Sequence, residues 1–396
     1  MFFSARTLIH RDCQCIRPTQ TARASTRMST RAMSTGRRPF RVLALETSAD
    51  DSCVAIVDAS RRIFSNIVHS QNSLHQPQGG IHPMLAMLAH QRNLPTALRR
   101  ALTEAKLEMA DIDGIAFTRG PGLPGCLSVC LNAAKALAAA HNKPLVGVHH
   151  MQAHTLTPHL TLDSPPSFPF LSLLVSGGHT MIVLVSSLTE FRVLCNTVDR
   201  SIGATIDRVV TLLKIPWTEK GPGAGLEKFC AETAEEDSEH VPEYSPPTPM
   251  PGKLAFSYSG LHSWVERTVF AAGGLENVNR RALARAFQNA AFEQLETKLS
   301  LVLRSYGHGV RHIVVSGGVA SNTLLRQRLK RSARDPVEFI FPDPALCTDN
   351  AAMIAWASMH RFLAGSHDDF SINPLPVWSL ADLNNPPIPD LAGFKL

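Results

Sequence analysis

The order of predicted elements repeats along this chain, and the repeat limits its possible folds more than any other feature. In each half, three short apolar runs with strand character precede helical sequence, then a strand, a helix and a strand. The first half has predicted strands at Val42–Thr47, Cys53–Asp58, Arg62–Val68, Gly114–Thr118 and Leu145–Val148, and helices at Pro83–Glu108 and Leu123–His141. The second half has predicted strands at Phe170–Val175, Met181–Val185, Phe191–Asn196, Ile313–Val315 and Phe339–Phe341, and helices at Ala320–Lys330 and Asp349–Phe362. This order predicts a duplicated α/β domain, with antiparallel early strands and parallel later strands joined by helical crossovers.

The repeat sets the expected domain limits. We predict an N-terminal lobe at 41–165, a C-terminal lobe at 170–365 and a proline-rich tail at 366–396. A cleft between two such lobes is the usual place for a ligand. The apolar stretch Phe168–Leu188 is long enough to resemble a membrane span, but a Gly177-Gly178 turn interrupts it. We therefore predict two strands there and no membrane insertion.

Positive charge is concentrated at the N-terminus. Residues 1–41 hold nine arginines and a single acid, Asp12, whereas the chain as a whole carries a formal charge of +6. The remaining residues hold 30 basic and 32 acidic side chains. A leader rich in Arg, Ser and Thr and poor in acids is typical of a mitochondrial transit peptide, so we predict one at 1–40 and a location in the mitochondrial matrix. The alternative is a disordered basic arm that binds RNA or a membrane surface.

A pair of histidines gives the sharpest local signal. His150 and His154 are four residues apart, so on a helix both imidazoles face the same side and can share a metal ion. Met151 follows His150 where the zinc-peptidase pattern HExxH has its general-base glutamate, which disfavours that mechanism. The alternative is a pair of ordinary packed or exposed histidines.

A metal site needs a third ligand. Asp349 is a candidate, although it also stands where a helix begins and could be its N-cap, a role equally open to Thr348. His90 and His179 are weaker candidates. Two imidazoles and a carboxylate suit zinc and iron alike, so the pattern predicts one divalent metal ion without choosing between them.

Glycine-rich turns form a second group of signals. Gly120–Gly125 and Gly317-Gly318 each lie between a predicted strand and a helix, where backbone amides and the helix dipole can bind phosphate. Neither is a Walker A loop, and each alone is more often an ordinary turn. The segment from Glu46 to Asp51 adds carboxylates at the end of the first strand, which either serve a metal or a nucleophile or form an acidic turn.

Seven motifs in order make the chain similar to the TsaD-type tRNA threonylcarbamoyladenosine synthases, also called the O-sialoglycoprotein endopeptidase family. The resemblance runs from about Arg41 to Phe362, and the leader together with Ile202-Gly203 resembles the mitochondrial branch. The motifs are Glu46-Thr47-Ser48, Gly120-Pro121-Gly122-Leu123, His150-Met151-x-x-His154, Val175-Ser176-Gly177-Gly178-His179-Thr180, Phe256-Ser257-Tyr258-Ser259-Gly260-Leu261, Gly317-Gly318-Val319-Ala320-Ser321-Asn322 and Cys347-Thr348-Asp349-Asn350.

The resemblance implies a fold, a site and a reaction. The fold would be that of the actin and sugar-kinase (ASKHA) superfamily, with two RNase H-like lobes and an interlobe cleft. The metal ligands would be His150, His154 and Asp349. Substrate would be held by Leu174, Val175, Ser176, Gly177, Gly178, Asp207, Gly223 and Asn322. The enzyme would transfer a threonylcarbamoyl group from threonylcarbamoyl-AMP, made by a separate synthase, to an adenosine in tRNA, and it would act as a homodimer.

Four positions depart from the family pattern: Asp51 stands for glutamate, Ala204 for an acid, Arg208 for lysine and Met84 for glutamate. Two other classes of function therefore stay open beside the transferase. One is a metallopeptidase, as the older family name suggests. The other is a nucleotide-binding scaffold without catalytic activity, which the lost acids suggest.

Overall fold

The structure, a computed structural model, describes residues 38–232, 243–332 and 337–387. Residues 1–37 of the predicted transit peptide lie outside this part of the chain. The described residues form two β-sheets with helices packed on them.

The first sheet contains five strands in the order β3-β2-β1-β4-β5. The strands β1, β2 and β3 pair antiparallel, and β4 and β5 continue the sheet in parallel. The helices α2 and α3 follow β3 and β4, and a short helix α1 precedes α2. The bounds are β1 Arg41–Glu46, β2 Asp51–Asp58, β3 Ile63–Ser70, β4 Gly114–Gly120, β5 Leu145–His149, α1 Asn72–His75, α2 Pro83–Ala105 and α3 Pro124–Ala140.

The second sheet repeats this topology. Its order is β11-β10-β6-β7-β8-β9, so that β6, β7, β8, β10 and β11 occupy the places of β1 to β5 and β9 extends the edge. The strands are β6 Phe170–Val175, β7 Thr180–Val185, β8 Phe191–Thr197, β9 Ala255–Phe256, β10 His312–Ser316 and β11 Glu338–Ile340. The helices are α4 His150–Thr161, α5 Ile202–Leu212, α6 Pro222–Ala231, α7 Ser259–Ala271, α8 Arg280–Tyr306, α9 Thr323–Ser332, α10 Pro344–Cys347 and α11 Ala351–Leu363. The prediction of a duplicated α/β fold with mixed sheets is confirmed.

The apolar stretch around Gly177-Gly178 forms the antiparallel pair β6 and β7, with Phe170 opposite Val185 and Val175 opposite Thr180. Both strands are almost fully buried, which explains their nearly continuous apolar sequence. Within the described ranges, every helix is too short or too polar to cross a membrane.

Helix α11 crosses back to the first sheet. Its buried face, which includes Ile354 and Phe362, packs in one core with Val42 and Val146 of that sheet. This helix, which the predicted limits assign to the C-terminal lobe, therefore packs on the sheet of the N-terminal half. The sequence does not predict this packing, because an apolar helix face does not indicate which of two sheets it covers.

The described part of the tail lies along the first sheet. Leu375 donates its amide to the Arg119 carbonyl at 2.8 Å, and the Asp368 amide donates to the Leu145 carbonyl at the same distance. Gly120 makes this approach possible, since a Cβ at that position would overlap the Leu375 carbonyl oxygen at 1.8 Å. The tail is thus part of the folded body as far as residue 387.

Candidate metal and phosphate site

Helix α4 places the side chains of His150 and His154 next to each other. The helix begins at His150, and the preceding residue His149 caps it by accepting the Met151 amide on Nδ1 at 3.1 Å. Because His150 and His154 are one turn apart, their ring centroids lie 4.7 Å apart and their Nε2 atoms 3.2 Å apart. Both side chains are buried.

Asp349 completes the cluster from the other end of the sequence. Its Oδ1 lies 3.1 Å from Nε2 of His154 and 3.4 Å from Nε2 of His150. The prediction that Asp349 or Thr348 caps the following helix is wrong: Asn350 is the N-cap of α11 and accepts the Met353 amide on its side-chain oxygen at 3.0 Å. The cap position falls one residue later, which leaves the Asp349 carboxylate free to face the histidines.

The three donor atoms fit a divalent metal ion. They lie within 4.8 Å of one another, and the contacts of 3.1 to 3.4 Å match ligand atoms placed about 2 Å from a shared ion. Nδ1 of His154 is buried without a hydrogen-bond partner among the described groups, so its ring is held only through the Nε2 side. A cluster of acceptor atoms this close requires a cation or a proton among them.

Glu46 orients the His150 ring through its Nδ1 atom. Its buried carboxylate lies 3.1 Å from Nδ1 of His150 and accepts hydrogen bonds from the Ser48 amide at 2.5 Å and from the Thr118 hydroxyl. If Nδ1 of His150 donates to Glu46, its Nε2 lone pair points into the cluster. Ser48 belongs to the motif that begins at Glu46, whereas Thr118 was not identified from the sequence, since only the fold brings it to Glu46.

The charges around His150 favour a cation at this place. Burial alone lowers the pKa of His150, but the carboxylates of Asp349 and Glu46 outweigh it and raise the pKa to about 10. Burial opposes the charge of Asp349 in turn, yet His150 holds the pKa of Asp349 well below its usual value. Without a metal, the site therefore stores a proton that a metal ion can replace.

Two further acids lie beside the cluster. Burial and the charge of Asp349 raise the pKa of Asp50 to about 6. Burial, Asp50 and Asp349 raise the pKa of Asp51 well above its usual value. Asp51 is not among the three convergent donors, and its raised pKa favours the protonated, neutral carboxyl.

The weaker histidine candidates differ in position. His90 has both ring nitrogens bonded, with Nε2 at 2.9 Å from the Ala49 carbonyl oxygen and Nδ1 at 2.8 Å from the Ser52 hydroxyl. Both ring nitrogens are therefore engaged in hydrogen bonds that hold the loop before Asp50, and His90 lies outside the three-residue donor group. His179 is closer to the cluster: burial and the charges of His150 and His154 lower its pKa to about 4. It is outside the three-residue donor group.

The predicted substrate residues at the end of β6 and in the turn after it offer a ligand mainly their backbone groups. The side chains of Leu174 and Val175 are fully buried in two different cores, so neither reaches a ligand. The hydroxyl of Ser176 accepts the His179 amide at 3.1 Å and closes the turn. Gly177 and Gly178 are exposed, with open space where a Cβ would stand.

Two other loops approach the same turn. A Cβ on Gly203 would lie 2.5 Å from the Ser176 carbonyl oxygen, and one on Gly317, with φ at +100°, would lie 2.4 Å from the Val175 carbonyl oxygen. Only glycine allows these contacts. They bring the start of α5 and the Gly317-Gly318 turn against the end of β6, and Gly318 faces open space.

Of the other predicted substrate residues, Asp207 and Gly223 lie on helices and Asn322 immediately precedes α9. Asp207 is on α5, where burial and Asp50 raise its pKa to about 7. Gly223 is in the first turn of α6 with open space beside it. Asn322 accepts the Leu325 amide on its side-chain oxygen at 3.0 Å, so this part of the side chain is occupied in α9.

The Gly120–Gly125 loop uses two of its amides within the fold. The Gly122 amide donates to the Pro376 carbonyl at 3.1 Å and the Leu123 amide to the Ser48 carbonyl at 2.9 Å. A Cβ on Gly122 would lie 2.7 Å from the Ser48 carbonyl oxygen. The glycines therefore serve close packing between this loop, the acidic loop and the tail, which the sequence pattern does not distinguish from phosphate binding.

Comparison with solved structures shows the fold. HypF from T. kodakarensis matches with a TM-score of 0.53 at 13% identity, over 83% of this chain and 48% of that one. The chain thus spans about half the length of HypF. The activator of 2-hydroxyisocaproyl-CoA dehydratase from Clostridium difficile, with bound ADPNP, matches at 14% identity over 84% and 99% of the two chains, with a TM-score of 0.45. A ROK hexokinase from Thermus thermophilus matches at 17% identity over 83% and 100%, with a TM-score of 0.39. The likeness to HypF agrees with the doubled α/β fold that the two sheet orders show.

A family model covers most of the chain. The model described as TsaD, tRNA N6-adenosine threonylcarbamoyltransferase, matches residues 62–356. This range is nearly three quarters of the sequence and contains every residue of the donor cluster and of the open glycine turn.

Proposed function

The chain belongs to the TsaD family of tRNA N6-adenosine threonylcarbamoyltransferases, and we propose that it modifies ANN-decoding mitochondrial tRNAs. The threonylcarbamoyl group of threonylcarbamoyl-AMP passes to N6 of the adenosine that lies 3′ of the anticodon. A carbon–nitrogen bond forms, the bond between the carbonyl carbon and the phosphate oxygen breaks, one N6 proton is released, and AMP leaves with the bonding electrons. The observation that supports this reaction most directly is the convergence of His150, His154 and Asp349 beside the open Gly177-Gly178 turn.

The donor cluster is proposed as the site of one divalent metal ion. His150 and His154 would bind it through Nε2 and Asp349 through Oδ1, and Glu46 would keep His150 in the required tautomer. Zinc and iron both fit these donors. When bound, such an ion supplies a Lewis acid for phosphate or carbonyl oxygens.

The glycine turns are proposed to hold the adenylate. The exposed backbone of Gly177, Gly178 and Gly318 leaves room for a ligand to approach main-chain amides closely. Leu174, Val175 and Ser176 would contribute through the backbone of β6, and Asp207, Gly223 and Asn322 would complete the pocket. Amides fixed in place before the reaction stabilise the charge that develops on the leaving phosphate without reorganisation.

The tRNA is proposed to enter with its anticodon loop. An exocyclic adenine amine is a poor nucleophile, so positioning matters more here than a strong base. In a single-stranded loop the target base can be turned out of its stack into a cleft. Residues 42–396 carry slightly more acids than bases, so contact with the phosphates would come from a local basic surface rather than from net charge.

The expected partners are a separate synthase that supplies threonylcarbamoyl-AMP and a second copy of this chain. A largely apolar groove of about 500 Å³ runs between α2 and α3, lined in part by Met87, Leu94 and Leu98. On the same helix the apolar side chains of Met84 and Leu88 are 56% and 50% exposed. We assign this face to the homodimer, since exposed apolar patches of this kind mark interaction surfaces.

The arginine-rich segment at residues 1–41 supports a location in the mitochondrial matrix. The direct check is import of a fluorescent fusion. Fluorescence is expected in mitochondria for the full chain and in the cytosol for a fusion that begins at residue 42. Mitochondrial signal from the shortened fusion would contradict the assignment.

A peptidase role has less support from the site. The residue next to His150 is the buried, apolar Met151, and the carboxylate of Glu46 is engaged with Nδ1 of His150 on the side away from the donor cluster. Neither group is placed as the general base that a zinc peptidase requires.

Reconstitution tests the proposed function. The full chain is incubated with threonine, bicarbonate, ATP, an enzyme that generates threonylcarbamoyl-AMP and an ANN-decoding tRNA, and the digested nucleosides are analysed by mass spectrometry. Threonylcarbamoyladenosine is expected with this tRNA and not with a matched tRNA that carries guanosine at the target position. Absence of the product while threonylcarbamoyl-AMP is present would overturn the proposal, and cleavage of casein in a parallel reaction would favour the peptidase.

A further inference from the structure

A second cavity lies at the start of α4, where His149 and Gln152 line it. Its volume is about 420 Å³. Strand β4 contributes Arg119, the start of α4 contributes Gln152, and the tail closes the cavity with Trp378 and Asn384. None of these residues belongs to the donor cluster or to the glycine turns described above.

Arg119 brings an uncompensated positive charge to this cavity. Its Nε donates to the Asn373 carbonyl at 3.0 Å, and its guanidinium carbon lies 5.4 Å from the Trp378 ring centroid. Within the described ranges no carboxylate lies within 4.0 Å of its guanidinium nitrogens. Burial, opposed by the more distant Asp368, lowers the pKa of Arg119. A partly desolvated guanidinium without a carboxylate partner favours an anion beside it.

The other charged groups in the cavity are already balanced. Arg361 and Asp368 form a two-pronged ion pair with both contacts at 3.0 Å. His149 is held in the neutral form by its two hydrogen bonds, since Nδ1 accepts the Met151 amide and Nε2 donates to the Trp378 carbonyl, each at 3.1 Å. His360 also lines the cavity, and burial lowers its pKa. The net charge of the lining is therefore that of Arg119 alone.

The walls of the cavity are fixed in advance. The Gln152 amide nitrogen donates to the Leu188 carbonyl at 2.9 Å, and that of Asn384 donates to the Thr189 carbonyl at 3.0 Å. Trp378 donates its indole N–H to the Asp382 carbonyl at 3.3 Å and packs at 4.6 Å from the His149 ring. A preformed pocket with a few placed polar groups is the usual form of a small-molecule site.

We propose that this cavity binds a small oxyanion of the phosphate type, with Arg119 as its principal ligand. The site is separate from the proposed adenylate site. The cavity and the metal cluster are connected through two adjacent residues: His149 lines the cavity, and His150 belongs to the cluster. Its position is thus that of an effector site, which contacts the first turn of α4 without touching the reacting groups. The inference does not depend on the tRNA reaction.

Selenate, which scatters anomalously, locates the site. Crystals of the full chain soaked in selenate are expected to show an anomalous peak beside Arg119, whatever is seen at the glycine turns. In crystals of Arg119→Gln the peak beside residue 119 is expected to vanish and any peak at the glycine turns to persist. No peak in the wild-type cavity, or an unchanged peak in Arg119→Gln, would overturn the proposal.

Titration with inorganic phosphate measures the same site in solution. Loss of the guanidinium in Arg119→Gln is expected to weaken the cavity's Kd about tenfold or more. Arg304→Gln is the matched control, because Arg304 is exposed on α8 and its loss is expected to change Kd less than twofold. Asn384→Asp is a second variant that leaves Arg119 in place and adds a carboxylate to the exposed rim. It is expected to abolish binding while the melting temperature stays near that of wild type.

A parallel titration with malonate distinguishes a phosphate from a carboxylate ligand. Binding of phosphate with weak or no binding of malonate supports the phosphate type. Preference for malonate, or phosphate affinity that is unchanged in both Arg119→Gln and Asn384→Asp, contradicts the proposal.

Discussion

Nδ1 of His150 lies 3.1 Å from Oε2 of Glu46, and this contact joins the first strand of the first sheet to the helix that carries the histidine pair. Glu46 is fully buried and receives two further hydrogen bonds, so its carboxylate has a fixed position. The contact determines which nitrogen of His150 faces the cluster. It therefore couples the metal site to the fold at a residue that is not itself a ligand.

Glu46→Gln is expected to weaken zinc binding by about 10- to 100-fold, the usual cost of losing a carboxylate that orients a ligating histidine. Isothermal titration of the full chain with zinc measures this change. Glu104→Gln is the control, because Glu104 is exposed and pairs with Arg100 across one helical turn. Equal zinc affinity in Glu46→Gln and wild type would contradict the orienting role.

Gly203 and Gly178 give opposite predictions for the same substitution to alanine. Gly203→Ala is expected to destabilise the fold by about 1–3 kcal/mol, because its Cβ would lie 2.5 Å from the Ser176 carbonyl oxygen. Gly178→Ala has open space and is expected to leave stability unchanged while weakening AMP binding. Urea denaturation and AMP titration of both variants separate the two effects. AMP affinity equal to wild type in Gly178→Ala would argue against the adenylate site.

Asp207 is expected to make stability fall as pH rises. Burial, with a contribution from Asp50, raises its pKa from 3.8 to about 7 in the folded chain. Between these values the folded state holds a proton that the unfolded state has lost, so this contribution to stability decreases from about pH 4 to pH 7.

Asp207→Asn removes that dependence and is expected to be more stable than wild type at pH 7.5, with little difference at pH 4. Urea denaturation at the two pH values is the measurement. Asp163→Asn, at an exposed position, is the control that should leave the profile unchanged. A wild-type profile that stays the same in Asp207→Asn would show that Asp207 does not titrate in this range.

Leu88→Glu is expected to convert the proposed homodimer into a monomer, because it places a charge on the exposed apolar face of α2. Sedimentation equilibrium measures the mass. Leu363→Glu is the control, since Leu363 is 62% exposed at the end of α11, away from this groove. A wild-type monomer, or a dimer that survives Leu88→Glu, would remove the α2–α3 face as the interface.

Local patterns predicted the strands well because their signal is local. The strand β6 has the predicted bounds, Phe170–Val175, and the His150–His154 pair lies on a helix as its spacing requires. The helix predicted from Pro83 is also present. It continues through Pro95 and ends at Ala105.

Contacts between residues far apart in the chain could not be predicted from the sequence in this way. The packing of α11 on the first sheet, the use of the Gly122 amide by the tail and the hydrogen bonds that saturate His90 all join residues far apart in sequence. Short-range periodicity and turn chemistry carry no information on such contacts. Asp349 is a candidate third ligand from the sequence, and the family resemblance implies that it is a ligand. The structure adds the reason that this carboxylate is available: Asn350 caps the helix instead.

The most direct test of the central claim is single-turnover transfer from preformed threonylcarbamoyl-AMP to an ANN-decoding tRNA by the full chain and by His154→Ala. His159→Ala is the matched control, because His159 lies on the same helix outside the donor cluster. We predict that His154→Ala loses transfer by at least about 100-fold, together with zinc binding, while His159→Ala keeps both. Transfer at the wild-type rate by His154→Ala would contradict the assignment of this cluster to the reaction.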